Sequence, residues 1–284
     1  MRNLKTLAIG GALLSACCCC LLAQEPTALT FEVASVRPSA PAVPGQRGGI
    51  HGGPGTSDPG RIRALRVSLQ DLVMRAWDIH KYQVIGPDWI SPLPRDGDAG
   101  RYDVTANVPP GATAEQVRMM WRSLLADRFG VVLHHASKEF AAKDLVVVKG
   151  GTKMVRSAQD PGIPALEISE LTKDEVVVDK DGCVQLSAPA IVTYVTSSPG
   201  GATLCMAMRG QTTAQLASNL SERDRRPVID KTGLTGTYDF CGTVQPKAAI
   251  RGCHGTAAGS QVGGQKATVD VIVIDKANKM PSEN

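Results

Sequence analysis

The sequence predicts an α+β fold built from two similar βαββαβ-type units. Stretches that alternate apolar and polar residues, as strands do, separate three segments in which apolar residues recur at helical spacing. A polar capping pair precedes each helical segment, and the second half of the chain repeats the order of the first. The 284 residues, 43% of them hydrophobic, are enough for one large or two small domains.

The first 23 residues predict a secretory signal peptide. Arg2 and Lys5 form a positively charged start, Leu7 to Leu22 is an uncharged apolar run, and Ala23 is a small residue suited to cleavage. The apolar run has roughly 16 residues, against the roughly 20 that a membrane span needs. We therefore expect a periplasmic or secreted protein.

Lipidation is the alternative fate of this N-terminus. Leu14-Ser15-Ala16-Cys17 fits a bacterial lipobox, in which Cys17 would be acylated and the protein would be a membrane-anchored lipoprotein. Against it, the chain stays apolar as far as Ala23, whereas a mature lipoprotein usually becomes polar at once. Apart from such an anchor, the formal charge of +4 is too small to indicate nucleic acid or an anionic membrane as a partner.

The first α+β unit is predicted at residues 61–155, after a linker rich in Pro and Gly at 24–60. Residues 61–67 alternate as a strand, and Ser68 with Asp71 has the spacing of a capping box at the start of a helix. Further strands are expected at 82–90, 101–108, 131–135 and 144–149.

The clearest helix of this unit follows Thr113, which has capping-box spacing with Gln116. Gly130 ends it, as a glycine after the last helical turn commonly does. Its apolar face is formed by Val117, Met120, Trp121, Leu124 and Leu125.

The second unit is predicted at residues 201–284, after an irregular linker at 156–200. A strand at 202–208 precedes a helix capped by Thr212 and Gln215, as in the first unit. Several segments match in order: Val228-Ile229 with Val84-Ile85, Tyr238-Asp239 with Tyr102-Asp103, and 269–280 with 143–154.

The repeat fails at residues 241–264, where a second helix is expected but Gly and Ala dominate. One interpretation is a disordered loop, so that the second unit is incomplete. The other is a local frameshift, because the codons for His254 to Gly263, translated one nucleotide downstream, can spell M-E-Q-L-x-G-L-K-L-E. A stop codon in that frame of the gene would exclude it.

Four cysteines, Cys17 to Cys20, lie in the predicted signal, and Cys183, Cys205, Cys241 and Cys253 follow it. An even number in an oxidising compartment permits disulfides, and the spacing is not that of a zinc site. If the frame is shifted, Cys241 and Cys253 are accidental, and Cys183 with Cys205 is the candidate disulfide.

Several segments resemble a known family, and together they cover nearly all of the chain after the predicted signal. They are FEVASVRPS (31–39), GGPGTSDPGRI (52–62), LQDLVMRAW (69–77), YQVIGPDWI (82–90), RYDVTANVPPGAT (101–113), LLADRFGVVLHH (124–135), RPVIDKTGLTGTYDF (226–240) and VDVIVIDKANKMPSEN (269–284). They are similar to an uncharacterised "soil-associated" family of exported proteins, abundant in acidobacteria. The family also looks distantly similar to the short N-terminal domain of secretins and TonB-dependent receptors, which implies a binding or sensing role by analogy.

The motifs that could carry chemistry have structural explanations. Asp230-Lys231-Thr232-Gly233 is similar to the phosphorylated motif of P-type ATPases, but it also fits a corner between a strand and a turn. His134 and His135 are adjacent on a strand and point to opposite faces, so they do not share a metal site easily. The sequence contains no G-x-S-x-G elbow. We therefore predict no catalytic residue, no cofactor and no metal.

Trp77, Tyr82 and Trp89 form the candidate groove for a peptide or glycan, with core packing as the alternative. The function expected is a non-catalytic binding or sensing module at the cell envelope, whose partner is an unknown envelope protein or peptide. The alternative is a hydrolase of envelope polymers, which requires an acid, base or nucleophile with mutual geometry in a cleft.

Overall fold

The computed structural model describes residues 29–41, 48–93, 99–147, 151–152, 154–158, 177–179, 183–198, 201–244, 249–252 and 255–282. The predicted signal peptide, its cleavage at Ala23 and the lipidation at Cys17 lie outside these residues. Within them, no helix is both long and apolar enough to cross a membrane.

The described residues form an α+β protein, as the sequence predicts. A four-stranded antiparallel sheet carries the first half of the chain, in the order β1-β5-β3-β2. Its strands are β1 (Val33–Pro38), β2 (Gly49–Gly52), β3 (Arg61–Ser68) and β5 (Arg101–Asn107). The segment expected as a linker at 24–60 thus contributes β1 and β2. These two strands are the edges of the sheet, where Pro and Gly are tolerated.

Two helices cover this sheet and begin at the predicted residues. α1 (Leu69–Trp77) starts at the Ser68–Asp71 capping box, and α2 (Ala114–Phe129) starts at the Thr113–Gln116 box. The predicted apolar face of α2 is buried, and Gly130 ends the helix in the left-handed conformation. The C-terminal segment then closes this helix, because the Asn278 and Ser282 N–H groups donate to the Phe129 and Arg128 carbonyls.

The remaining strands build a second sheet and a small two-stranded sheet, β8 (Val177–Val178) with β9 (Val184–Gln185). α3 (Thr213–Asp224) starts at the predicted Thr212–Gln215 capping box. The second sheet contains β4 (Val84–Ile85), β6 (Val132–Val146), β7 (Val155–Arg156), β10 (Ala190–Ser198), β11 (Gly201–Gln211), β12 (Val228–Asp230), β13 (Tyr238–Val244), β14 (Ala249–Gly252) and β15 (Gly255–Lys276).

The two halves of the chain exchange strands. β6 and β15 pair antiparallel along most of their length, and β15 also pairs parallel with β4 while β6 pairs parallel with β12. As a result, Ile272 and Ile274 belong to the first hydrophobic core, and Leu145 and Met154 belong to the second. Each core is therefore completed by the other half of the chain.

Two segments expected to be irregular are strands. β10 pairs with β11 along nine residue pairs, within the predicted linker at 156–200. The expected disorder at 241–264 is wrong for the described backbone there, since β14 pairs with both β13 and β15. Main-chain pairing needs no apolar periodicity, which is why the sequence pattern did not reveal these strands. The predicted second helix is absent from the described part of this segment, and the frameshift stays a hypothesis.

A disulfide joins Cys183 to Cys241, with Cα atoms 5.9 Å apart. The predicted Cys183–Cys205 pairing is therefore wrong. Cys241 lies in β13 opposite Ala207, whereas Cys205 is a buried thiol in β11. The pairing depends on the position of β13, which cysteine spacing alone does not give.

We predict that the ion pair between the buried Lys143 and the partly exposed Asp224 stabilises the junction of β6 and α3. The Lys143 side chain is 9% exposed, and its ammonium group pairs with the Asp224 carboxylate. Asp224→Asn leaves a buried charge without a counter-charge, so the free energy of unfolding should fall by about 3 kcal/mol in urea titrations.

The control is Glu139→Gln, which breaks an ion pair with Lys266 in which both side chains are more than half exposed. That change should lower the unfolding free energy by less than about 1 kcal/mol. Equal losses in the two variants would contradict the prediction.

Candidate functional site

A groove made of two adjoining clefts runs over the C-terminal half of α1. The first, called the arginine cleft, has a volume of about 650 Å³, and the second, called the helix cleft, has about 470 Å³. Met74, Asp78 and Ile79 line both. The arginine cleft is also lined by Gly48, Gly49, Ile50, Arg66, Val67, Asp71, Arg75 and Arg101, and the helix cleft by His80, Ser218, Asn219 and Glu222.

The arginine cleft brings together Arg66, Arg75 and Arg101 from β3, α1 and β5. An Nη1–H of Arg101 donates to the Arg66 carbonyl over 3.1 Å, which orients its guanidinium group. The two carboxylates of the cleft already have partners. Asp71 accepts hydrogen bonds from Ser68 in the capping box, and Asp78 lies 3.4 Å from the guanidinium of Arg118, outside the cleft.

Arg66 has an unusual backbone conformation. Its φ of 53° is in the left-handed region, where a β-bulge interrupts the pairing of β3 with β5 between Ala64 and Val67. The Arg66 N–H donates to Asp103 Oδ1 over 2.9 Å, and the Ser39 hydroxyl donates to the same oxygen over 2.7 Å. The carboxylate of Asp103 thus holds the bulge in place.

The second half of the chain contains the same arrangement with a glycine. Gly210 has φ 60° at a bulge in β11, and its N–H donates to Asp239 Oδ1 over 2.8 Å. The Ser157 hydroxyl donates to that oxygen over 2.5 Å. Arg66 therefore stands where the other half has Gly210. A non-glycine residue in this conformation costs roughly 1–2 kcal/mol, so the strain lies at a residue whose side chain lines the cleft.

In the helix cleft, His80 lies between two side chains of α3. Its Nε2 is 3.4 Å from the Ser218 hydroxyl, and its Nδ1 is 3.5 Å from Glu222 Oε2. The hydrogen bond from the His80 side chain holds the pKa of Glu222 below its usual value. Partial burial of the carboxylate raises this pKa, whereas the Lys81 N–H, 3.1 Å from Oε2, lowers it further. Tyr82 stacks on His80, and burial together with the charge of Glu222 raises the pKa of Tyr82.

Ser218, His80 and Glu222 are the residue types of a hydrolytic triad, but the backbone N–H groups around them already donate hydrogen bonds within the protein. The N–H groups of Asp78 and Ile79 donate to the Met74 carbonyl, that of His80 donates to Gln83, and that of Lys81 donates to Glu222. Ser218 lies inside α3, where backbone N–H groups bond within the helix. The segment 78–81 and the middle of α3 thus offer no backbone donors for an oxyanion.

The predicted groove residues Trp77, Tyr82 and Trp89 contact different partners. Trp77 is partly buried and lies under the guanidinium of Arg122, 5.3 Å from the ring centre. Tyr82 packs edge-on against Phe140, and Trp89 packs against the first core. None of the three lines the arginine or helix cleft, so a groove formed by them stays a prediction.

The sequence pattern did not predict the arginine cleft. A comparison of the two halves contains one signal for it, because Arg66 and Gly210 occupy matching positions before the helix caps Ser68 and Thr212. The contributions of Arg75 and Arg101 depend on how α1 lies over the sheet, which the pattern does not specify.

The other motifs have structural roles. Thr232 donates its N–H and hydroxyl to Asp230 Oδ1, and Gly233 has φ 68°, so this motif forms the predicted turn. His134 lies 2.9 Å from Asp275 on the exposed side of β6. Among the described residues, no three His, Cys, Asp or Glu side chains cluster as a metal site would require.

We predict that Glu222 makes the stability of the protein depend on pH. Because its pKa is lowered on folding, its ionised form stabilises the fold above the unfolded-state pKa of about 4.3, and this contribution is lost as the pH falls through the folded-state pKa. Glu222→Gln should lower the free energy of unfolding at pH 7 and flatten its decline between about pH 5 and pH 3. Urea titrations at several pH values measure both effects, with the exposed Glu32→Gln as control. A parallel decline in Glu222→Gln and the unchanged protein would show that Glu222 has no such role.

Comparison with known proteins gives one match. A family model described as a protein of unknown function, DUF3738, matches residues 70–277. The matched range includes α2, α3 and all of α1 except Leu69. It also includes all of the groove except Gly48, Gly49, Ile50, Arg66 and Val67. No curated protein and no solved structure matches the chain. The match covers well over half of the sequence, and the chain therefore belongs to the DUF3738 family.

Proposed function

We propose that this DUF3738 protein is an exported, non-catalytic module that binds an extended segment of a partner polypeptide at the cell envelope. The predicted signal peptide and the resemblance to the soil-associated exported proteins support the location. The groove over α1 supports the binding role, because it joins an edge strand to side chains of several elements.

The observation that carries the proposal is the position of β2 in the wall of the arginine cleft. Gly48, Gly49 and Ile50 line the cleft, and β2 is the outer strand of its sheet among the described residues. The outer edge of such a strand presents main-chain donors and acceptors, which an extended polypeptide can pair with.

The other wall of the groove suits the side chains of such a segment. Met74 and Ile79 of the α1 region provide apolar contacts and are half-buried in the protein without a ligand. Main-chain pairing along one wall with side-chain contacts along the other is a recurrent form of peptide recognition.

We expect peptides to bind this groove and to lose affinity when its apolar wall is truncated. The probes are three fluorescent peptides of about ten residues, the upper end of strand length, in which Val alternates with Glu, Ser or Lys. Anisotropy titrations of the full protein should detect binding of at least one. Met74→Ala should weaken that binding about tenfold, since the Met side chain contributes apolar contact area.

The control is Met119→Ala, because Met119 is an exposed methionine of α2 outside the groove and its loss should leave affinity unchanged. Binding of none of the three peptides, or equal losses in the two variants, would contradict the proposal.

The second candidate function is hydrolysis, and the contacts of His80 with Ser218 and Glu222 favour it. A Ser–His pair oriented by a carboxylate can attack an ester or amide carbonyl, and such contacts are often long in the absence of substrate. The occupied N–H groups of residues 78–81 argue against it.

We expect no turnover of p-nitrophenyl acetate beyond the uncatalysed rate, because an acyl-transfer site needs oxyanion donors. The measurement compares the unchanged protein with Ser218→Ala and Ser221→Ala, where Ser221 is a buried serine of the same helix that bonds to Ala217 and Val228. Turnover that is lost in Ser218→Ala and kept in Ser221→Ala would establish the hydrolase instead.

A further inference from the structure

We infer that the polypeptide segment bound in the groove is acidic, and that Arg66, Arg75 and Arg101 bind its carboxylates. The inference rests on the proposed binding function and adds the chemistry of the ligand. Each of the three arginines comes from a different element, so their convergence is a property of the folded chain.

The positive charge of the cleft does not follow from a basic composition. The whole chain has 31 Lys and Arg residues against 27 Asp and Glu, which is close to balance. In the arginine cleft three guanidinium groups meet two carboxylates. Asp71 keeps its negative charge, since its partners in the capping box are neutral, whereas Asp78 lies next to a further cation, Arg118. Three positive groups against two negative ones leave the arginine cleft net positive, which suits a negatively charged ligand.

The guanidinium groups are suited to carboxylates in particular. Arg presents its donors in a planar fork that matches the two oxygens of a carboxylate, and the resulting pairs are stronger than neutral hydrogen bonds. Arg101 uses one N–H on the Arg66 carbonyl, which fixes the plane of its guanidinium group and leaves further donors for a ligand. Arg75 extends from the last turn of α1 and is exposed.

Arg66 provides an independent observation. Its bulge is held by Asp103 in the same way as the bulge at Gly210 is held by Asp239, yet the glycine adopts the left-handed conformation without the strain that an arginine has there. The Arg66 guanidinium also donates an Nη1–H to the Ala40 carbonyl over 3.2 Å, an exposed hydrogen bond that offsets part of this strain. Because a guanidinium group carries five N–H donors, binding of a ligand carboxylate would give the strained residue a further role.

The dependence of binding affinity on the charge of the peptide tests the inference. In anisotropy titrations of the full protein, the Val/Glu peptide should bind at least tenfold more tightly than the Val/Ser peptide at low salt. The difference should shrink when NaCl is raised from about 50 mM to about 500 mM, because salt screens charges over shorter distances. The Val/Lys peptide should bind most weakly.

Substitutions of the arginines test which side chains bind the acidic peptide. Arg75→Gln and Arg101→Gln should each weaken binding of the Val/Glu peptide about tenfold and leave the Val/Ser peptide unaffected. Arg61→Gln is the matched control, since Arg61 is an exposed arginine of β3 that does not line the cleft. It should change neither affinity.

Arg66→Gly separates binding from folding. The variant should lose affinity for the Val/Glu peptide about tenfold, while its melting temperature stays equal to or above that of the unchanged protein. A residue with a purely structural role would give a lower melting temperature instead, and that result would remove Arg66 from the inference.

The outcomes for the inference and for the proposed function are distinct. Equal affinity for the Val/Glu and Val/Ser peptides, or equal losses in Arg75→Gln and Arg61→Gln, would overturn the acidic ligand and leave a peptide-binding groove. Binding of none of the three peptides would overturn both.

Discussion

The antiparallel pairing of β6 with β15 is the interaction on which the rest of the structure depends. These strands lie at the ends of the two halves of the chain, and their ladder extends from Val132 opposite Lys276 to Val146 opposite Gly259. β15 brings Ile272 and Ile274 to the first core, and β6 brings Leu145 to the second. Because burial of apolar side chains is the main favourable contribution to folding, neither core is complete without the strand of the other half.

The exchange of strands also positions the groove. β4 pairs parallel with β15, and this pairing fixes the segment between α1 and β4 against the second half of the chain. His80 and Lys81 in that segment then meet Glu222 of α3. The helix cleft is consequently a junction between the two halves, whereas the arginine cleft belongs to the first half. A ligand that occupies both clefts contacts both halves.

The two halves contain matching bulges, and we propose that they derive from one repeated unit. Asp103 and Asp239 each accept hydrogen bonds from a serine hydroxyl and from the N–H of a left-handed residue. The halves differ at Arg66 against Gly210, the position at which we propose that a ligand binds. They differ also after β13, where the described chain forms strands instead of a second helix.

Local chemistry made the helices and several strands predictable. Ser68, Thr113 and Thr212 mark helix starts because a side-chain oxygen three residues before a backbone N–H satisfies that donor whatever the surrounding fold. The edge strands β1 and β2 and the paired strands β14 and β15 were not predicted in full, since main-chain pairing depends on which strand lies alongside. The candidate groove of Trp77, Tyr82 and Trp89 was chosen for residue type, which does not reveal whether aromatic side chains face a cleft or a core.

The sequence by itself determined the α+β class, the three capped helices and the left-handed end of α2 at Gly130, because these depend on residues close together in the chain. The tertiary structure decided the exchange of β6 and β15, the Cys183–Cys241 disulfide and the meeting of Arg66, Arg75 and Arg101. Each of these joins residues that are distant in sequence, and their proximity depends on how strands and helices pack. Local pattern does not encode that packing.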